Sequence, residues 1–163
     1  MASGRTHDLV NLLAFPPIVY YLQPTEFFAF TSGYMVGTFF LTPDNDIIQS
    51  NPNKRWKLLR FIWIPYTKIF SHRGMSHIPF YGIFLKLSYL AVVFLSIAIL
   101  VSFLLESTLD IEVLKLNLNF MELIKHPLFL SFLIGLLLSE IMHIFTDIVY
   151  SILKPKRKRK KKR

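Results

Sequence analysis

Apolar residues run in long blocks along this chain, and polar residues stand at the ends of the blocks. Leu87 to Leu105 is 19 positions without a charge, and Pro127 to Leu153 is apolar apart from Glu140, His143 and Asp147. A bilayer core of ~30 Å takes about 20 mostly apolar residues as a helix, so both blocks predict membrane spans. Two shorter blocks precede them, Leu9 to Leu22 and Phe27 to Leu41. The first contains Pro16-Pro17, which predicts a kink or a break. This pair reads either as two short helices or as one re-entrant hairpin. The predicted fold is all-α: a polytopic membrane protein of about four segments, forming one membrane-embedded domain over residues 1–153.

Composition agrees with this. Hydrophobic residues make up 53% of the chain and charged residues 18%, where soluble domains carry about 25%. Disordered, collagen-like and coiled-coil chains are set aside by the same figures. The absence of cysteine excludes disulfide scaffolds, Cys-type zinc sites, iron–sulfur clusters and Cys nucleophiles. The net charge of +9 is concentrated: Lys154 to Arg163 holds nine of the 19 basic residues and no acid.

Placing the connections on two sides sorts the charge further. The N-terminus, the segment Thr42 to Ser76 and the tail share one side, with 16 basic residues between them. The turn Gln23 to Glu26 and the loop Glu106 to His126 fall on the other, with Lys115 and Lys125 alone. The positive-inside rule then predicts that both termini are cytoplasmic. The N-terminus lacks the pattern of a cleaved secretory signal. Within Arg55 to Phe70, Trp56, Trp63 and Tyr66 mix with Lys57, Arg60 and Lys68. That mixture predicts a segment lying on the cytoplasmic membrane surface. The tail, residues 154–163, resembles a nucleic-acid patch. Directly after a span it fits anionic lipid better, at about 1 kcal/mol per basic residue.

The topology also gathers the polar residues that a span does not need. His7-Asp8 opens the first block, Asp44 and Asp46 close the second, and His72-Arg73-Gly74-Met75-Ser76-His77 precedes the third. Glu140, His143 and Asp147 lie in the last turns of the fourth, within a helical arc of about 60°. All reach the cytoplasmic face. Ionisable residues in a span are costly and face a partner or a wet cavity. Imidazole and carboxylate together suit zinc, with manganese or iron as alternatives, as one ion or two. A metal-free network of ion pairs involving Arg5 and Arg73 is the competing explanation.

The segments Ser3-Gly4-Arg5-Thr6-His7-Asp8, Thr42-Pro43-Asp44-Asn45-Asp46, Trp63-Ile64-Pro65-Tyr66, His72-Arg73-Gly74-Met75-Ser76-His77 and Glu140-x-x-His143-x-x-x-Asp147 carry a resemblance. Together they resemble an uncharacterised family of small prokaryotic membrane proteins described as metal-binding. It is similar in turn to the YdjM-like inner-membrane proteins labelled metal-dependent hydrolases. The resemblance covers residues 3 to 150 and implies a prokaryotic cytoplasmic-membrane protein with a metal centre, but names no substrate. A more distant likeness, through His143-x-x-x-Asp147, is to zinc-dependent phospholipase C and P1-type nucleases.

The leading expectation is therefore a metal-dependent hydrolase acting on a phosphoester, a phospholipid among them, at the cytoplasmic interface. Asp44, Asp46, His77, His143 and Asp147 are the candidate direct ligands. His7, Asp8, His72 and Glu140 are ligands of a second ion or supporting groups, with Glu140 as general base. Arg73 would hold a substrate phosphate through two parallel hydrogen bonds. A non-catalytic metal-binding or regulatory protein is the alternative, and a proton or ion carrier using Glu140, His143 and Asp147 is the third reading.

Overall fold

The computed structural model describes residues 3–70, 78–109 and 120–153, and every regular element among them is helical. Helix α1 spans Gly4–Leu22, and α2 spans Phe27–Phe39. A 3-10 turn over Pro43–Asp46, the short helix α3 (Asn51–Arg55), a second 3-10 turn over Lys57–Ile62 and α4 (Trp63–Ile69) follow. Then come α5 (Tyr81–Leu109), α6 (Phe120–Lys125) and α7 (Pro127–Leu153).

Helix α1 starts where Ser3 caps it, its hydroxyl accepting from the Thr6 amide at 3.2 Å, as N-cap serines do. It ends at Gln23, held in the left-handed region at φ 45° with its amide returned to the Val19 carbonyl. The expected break at Pro16-Pro17 does not occur, because the helix runs through both prolines. Each proline forfeits one bond to a carbonyl four residues back. Those carbonyls belong to Leu12 and Leu13, which are exposed like the prolines themselves, so the packed side of α1 keeps its ladder.

The closest contact in the molecule is between α2 and α7, and small residues make it. Gly33 and Gly37 on α2 meet a row of Ser131, Gly135 and Ser139 on α7, each spaced by four. A Cβ on Gly33 would stand 2.0 Å from the Phe132 carbonyl oxygen, and one on Gly135 would stand 2.1 Å from that of Phe30. The two backbones therefore touch, a geometry typical of helices that pack in lipid. Helix α1 lies against this pair. Its Asn11 faces Ser139 and its His7 faces His143, so α1 runs antiparallel to α7. Gly33 meets Phe132 and Gly37 meets Ser139, so α2 runs parallel to it. The start of α1 and the ends of α2 and α7 consequently share one end of the bundle.

Residues 40–70 fold over that end. Asn45 and Asn53, both fully buried, clasp each other: Asn45 Nδ2 donates to Asn53 Oδ1 at 2.8 Å, and Asn53 Nδ2 donates to the Asn45 carbonyl at 3.0 Å. Trp63 and Tyr66 are fully buried too, their rings tilted against Tyr89 of α5 in a core that includes Leu41, Ile83 and Leu136. This corrects the surface reading of Arg55 to Phe70 for its two inner aromatics. The outward side of the stretch instead carries Leu58, Phe61, Ile64 and Ile69.

Of the four expected segments, two helices are long and apolar enough to cross a membrane, α5 and α7. Helix α2, at 13 residues, reaches only ~20 Å. Just 11% of the apolar stretch of α5 is buried in the protein, against 33% for α7.

Candidate metal centre

His7, in the first turn of α1, stacks face to face on His143 of α7, with ring centroids 3.7 Å apart and planes 7° from parallel. His7 Nε2 lies 3.3 Å from Asp147 Oδ1, one turn further along α7. His143 Nε2 lies 3.8 Å from Asp44 Oδ2, in the 3-10 turn that follows α2. One ligand atom from each of His7, His143 and Asp147 falls within 4.8 Å of the other two.

The register that brings them together is set by Asn11. His7 and Asn11 are the two buried residues of α1, four apart and so on one face. Asn11 Nδ2 donates to Thr38 Oγ1 on α2 at 3.2 Å and to the Ser139 carbonyl on α7 at 3.1 Å. Tyr34 Oη donates to the Asn11 carbonyl at 2.9 Å. Three helices are thus tied at one level, and His7 is held against His143 one turn away. Sequence reasoning passed over Asn11, although an amide near the start of an apolar block was its signal.

The donor set fits a divalent cation. Both imidazoles are buried; Nδ1 of His7 has no hydrogen-bond partner, and Nε2 of His7 and of His143 face the carboxylates of Asp147 and Asp44. A buried polar atom left unpaired costs about 1–3 kcal/mol, and a neutral imidazole nitrogen is a metal ligand. Burial, and then the neighbouring His143, hold the pKa of His7 below its ordinary value, against the pull of Asp147 and Asp44. The neutral form that a metal requires is thereby favoured. His7, His143 and Asp147 would hold the ion, with Asp44 beside them.

Other expected site residues fall elsewhere. Asp8 is not with His7: Arg55 of α3 binds it through both guanidinium nitrogens, one at 3.2 Å, and also donates to the Phe39 carbonyl. One residue of helix is about 100° of rotation, enough to turn Asp8 away from the imidazoles. Glu140 lies on the predicted stripe of α7, but its carboxylate accepts from Lys86 Nζ at 2.7 Å, with both side chains 1% exposed. Lys86 donates also to the Leu41 carbonyl at 3.1 Å. Glu140 is thus the counter-ion of a buried lysine, and not the free base expected of it. Lys86 went unnoticed because the apolar block was counted from Leu87, whereas α5 begins at Tyr81. Asp46 is buried on the side of Tyr66, whose hydroxyl is pushed up in pKa by burial first and then by the charges of Asp46 and Glu140. His72, Arg73 and His77, and the tail Lys154 to Arg163, lie outside the described residues.

Residues 2–157 match the family described as "Uncharacterized metal-binding protein (DUF2227)". The chain belongs to this family. Its residues therefore carry a metal-binding description over nearly their whole length, in keeping with the donor set at His7, His143 and Asp147. A relative from Aquifex aeolicus (strain VF5), described as an uncharacterized protein, is 36% identical over 132 residues. That match covers 77% of this chain and 92% of the relative. No solved structure matches significantly.

Proposed function

We propose that this member of the family is an integral membrane protein that binds a divalent cation at one end of its bundle and hydrolyses a phosphoester there. The observation that carries the metal is the meeting of His7, His143 and Asp147 from opposite ends of the chain, with Nδ1 of the buried His7 lacking a hydrogen-bond partner. Mixed imidazole and carboxylate donors suit zinc, manganese or iron. A bound divalent ion would lower the pKa of a water and polarise a phosphoryl oxygen. The chain's own part is to hold neutral imidazoles in a buried place and keep Asp147 and Asp44 against them. A phosphoester agrees with the resemblance to metal-dependent hydrolases, and Arg73 would hold its phosphate.

Support for the membrane comes from the outward surfaces. Phe84, Val92, Phe94, Ile99, Leu100 and Phe103 all point away from the protein along α5, a surface that suits hydrocarbon better than water. The glycine-mediated contact of α2 with α7 supports the same reading. With 16 basic residues against two, both termini and the centre face the cytoplasm, and the basic tail binds anionic lipid there.

Protein purified without added metals or chelators is first analysed for metal, then incubated in anionic vesicles with phospholipids and soluble phosphodiesters. Metal-dependent release of phosphorylated product, abolished by chelator and by Asp147→Ala, is the expected result. Metal bound at full occupancy with no turnover on any substrate would replace hydrolysis with a non-catalytic metal-binding role.

A further inference from the structure

The carboxylates at this end of the bundle fall into two groups. Asp147 and Asp44 stand beside the two imidazoles. Glu140 and Asp46 stand next to Tyr66 and Lys86, with the His143 imidazole also acting on Glu140. A cation already sits in that second group. Lys86 Nζ lies 2.7 Å from Glu140 Oε2 and 3.1 Å from the Leu41 carbonyl oxygen, at 1% exposure, and the charges of Asp46 and Asp44 act on it as well.

We infer that the centre takes one divalent ion per chain, because the Lys86 ammonium fills the place that a second ion would take. This rests on the metal-binding reading above. Two-metal sites hold their ions about 3.5–4 Å apart on shared carboxylates, and hard cations are held by converging oxygens of carboxylate and carbonyl groups. Here the oxygens of Glu140 and Leu41 converge on one buried point. A side-chain ammonium occupies it, and its positive charge opposes the entry of another cation. The second oxygen of Glu140 and the hydroxyl of Tyr66 are buried without hydrogen-bond partners. Oxygen donors therefore remain on that side once the lysine is removed.

Lys86 also changes what the site does. A lysine cannot exchange with solvent ions or polarise a water as a metal does, so hydrolysis here uses a single Lewis acid. Lys86 is a positioning residue: it neutralises Glu140 and, among the described residues, leaves the ion to the imidazole side.

Titration of the full-length protein with Mn²⁺ tests this, with electron paramagnetic resonance as the second readout. The wild type should bind one equivalent and show the six-line spectrum of an isolated ion. Lys86→Met should bind two, with a broadened spectrum from coupled ions, and Lys86→Met with Glu140→Gln should return to one. Two equivalents or a coupled spectrum in the wild type would overturn the inference, as would a folded Lys86→Met that stays at one. If Lys86→Met does not fold, the wild-type spectrum decides alone: isolated supports the inference and coupled overturns it. No Mn²⁺ bound to the wild type defeats the metal-binding reading itself, and this inference with it.

Discussion

Two parallel imidazoles 3.7 Å apart bring ring nitrogens of α1 and α7 to one level, where a single cation can be held by both. His143→Ala and Asp147→Ala should each lower bound metal at least tenfold, measured by elemental analysis of the purified protein. Asp8→Asn should behave differently. It removes a charged hydrogen bond to Arg55 worth about 1.5–3 kcal/mol, lowering the melting temperature while metal content stays at the wild-type level. Loss of metal in Asp8→Asn would place that carboxylate in the centre after all. The depressed pKa of His7 adds a pH dependence to the metal-free protein. Below its ordinary value of 6.5 the unfolded chain takes up a proton that the folded one refuses. Stability is therefore full above that pH and falls as the pH drops through it. Melting curves of metal-free protein between pH 7.5 and 5.5 should show this fall, and His7→Gln should reduce it. The donor types were legible in the sequence, since His143 and Asp147 share a helical face. That Asp8 turns away from His7 while Asp44 approaches His143 depends on rotations that no spacing reveals.

Among the elements, the α2–α7 contact decides where the ligands stand. The backbones touch at Gly33 and Gly135, where an added Cβ would fall 2.0 and 2.1 Å from a carbonyl oxygen. Gly135→Ala must force the helices apart, and overpacking of this kind costs about 1–3 kcal/mol. Because Asp44 follows α2 and His143 belongs to α7, the same substitution should weaken metal binding without touching a ligand. Thermal unfolding and metal titration of Gly135→Ala, both unchanged, would show that the contact is dispensable. The Lys86–Glu140 pair joins α5 to α7 in the same region. Removing one partner of a buried pair leaves an uncompensated charge and costs about 3–5 kcal/mol, whereas replacing both with uncharged groups is often near neutral. Glu140→Gln alone should therefore destabilise the protein more than Glu140→Gln combined with Lys86→Met. Elements were legible where apolar runs were long, as for α5 and α7. The proline pair misled because its lost bonds fall on the outward side of α1.

At the scale of the molecule, the proposed membrane placement would orient a bundle with exposed apolar helices and a folded polar end by its charge. Reporter fusions after Arg163 and within Asn117 to Asn119 should give cytoplasmic and external signals respectively. Matching signals would reverse or remove the assigned sidedness. Deleting residues 156–163 should weaken association with anionic vesicles and leave metal content unchanged, since every candidate ligand precedes them. A folded, truncated protein that lost its metal would make the tail part of the centre.

The sequence by itself determined an all-helical chain, the two helices able to cross a membrane, and the kinds of donor atom available. Those follow from composition and from the order of polar and apolar residues, which are local properties. The return of His7 to the level of His143 and Asp147 was also within reach, because it needs only that successive helices reverse direction. Only the tertiary structure decided which carboxylate goes with which cation. Asp8 is given to Arg55, Glu140 to Lys86, and Asp44 to the imidazole side. Each pairing depends on the rotation and depth of the helices, and that of Asp44 with His143 depends on α2 and α7, whose backbones are in contact at glycines. The pairings therefore belong to the packing and not to the order of residues.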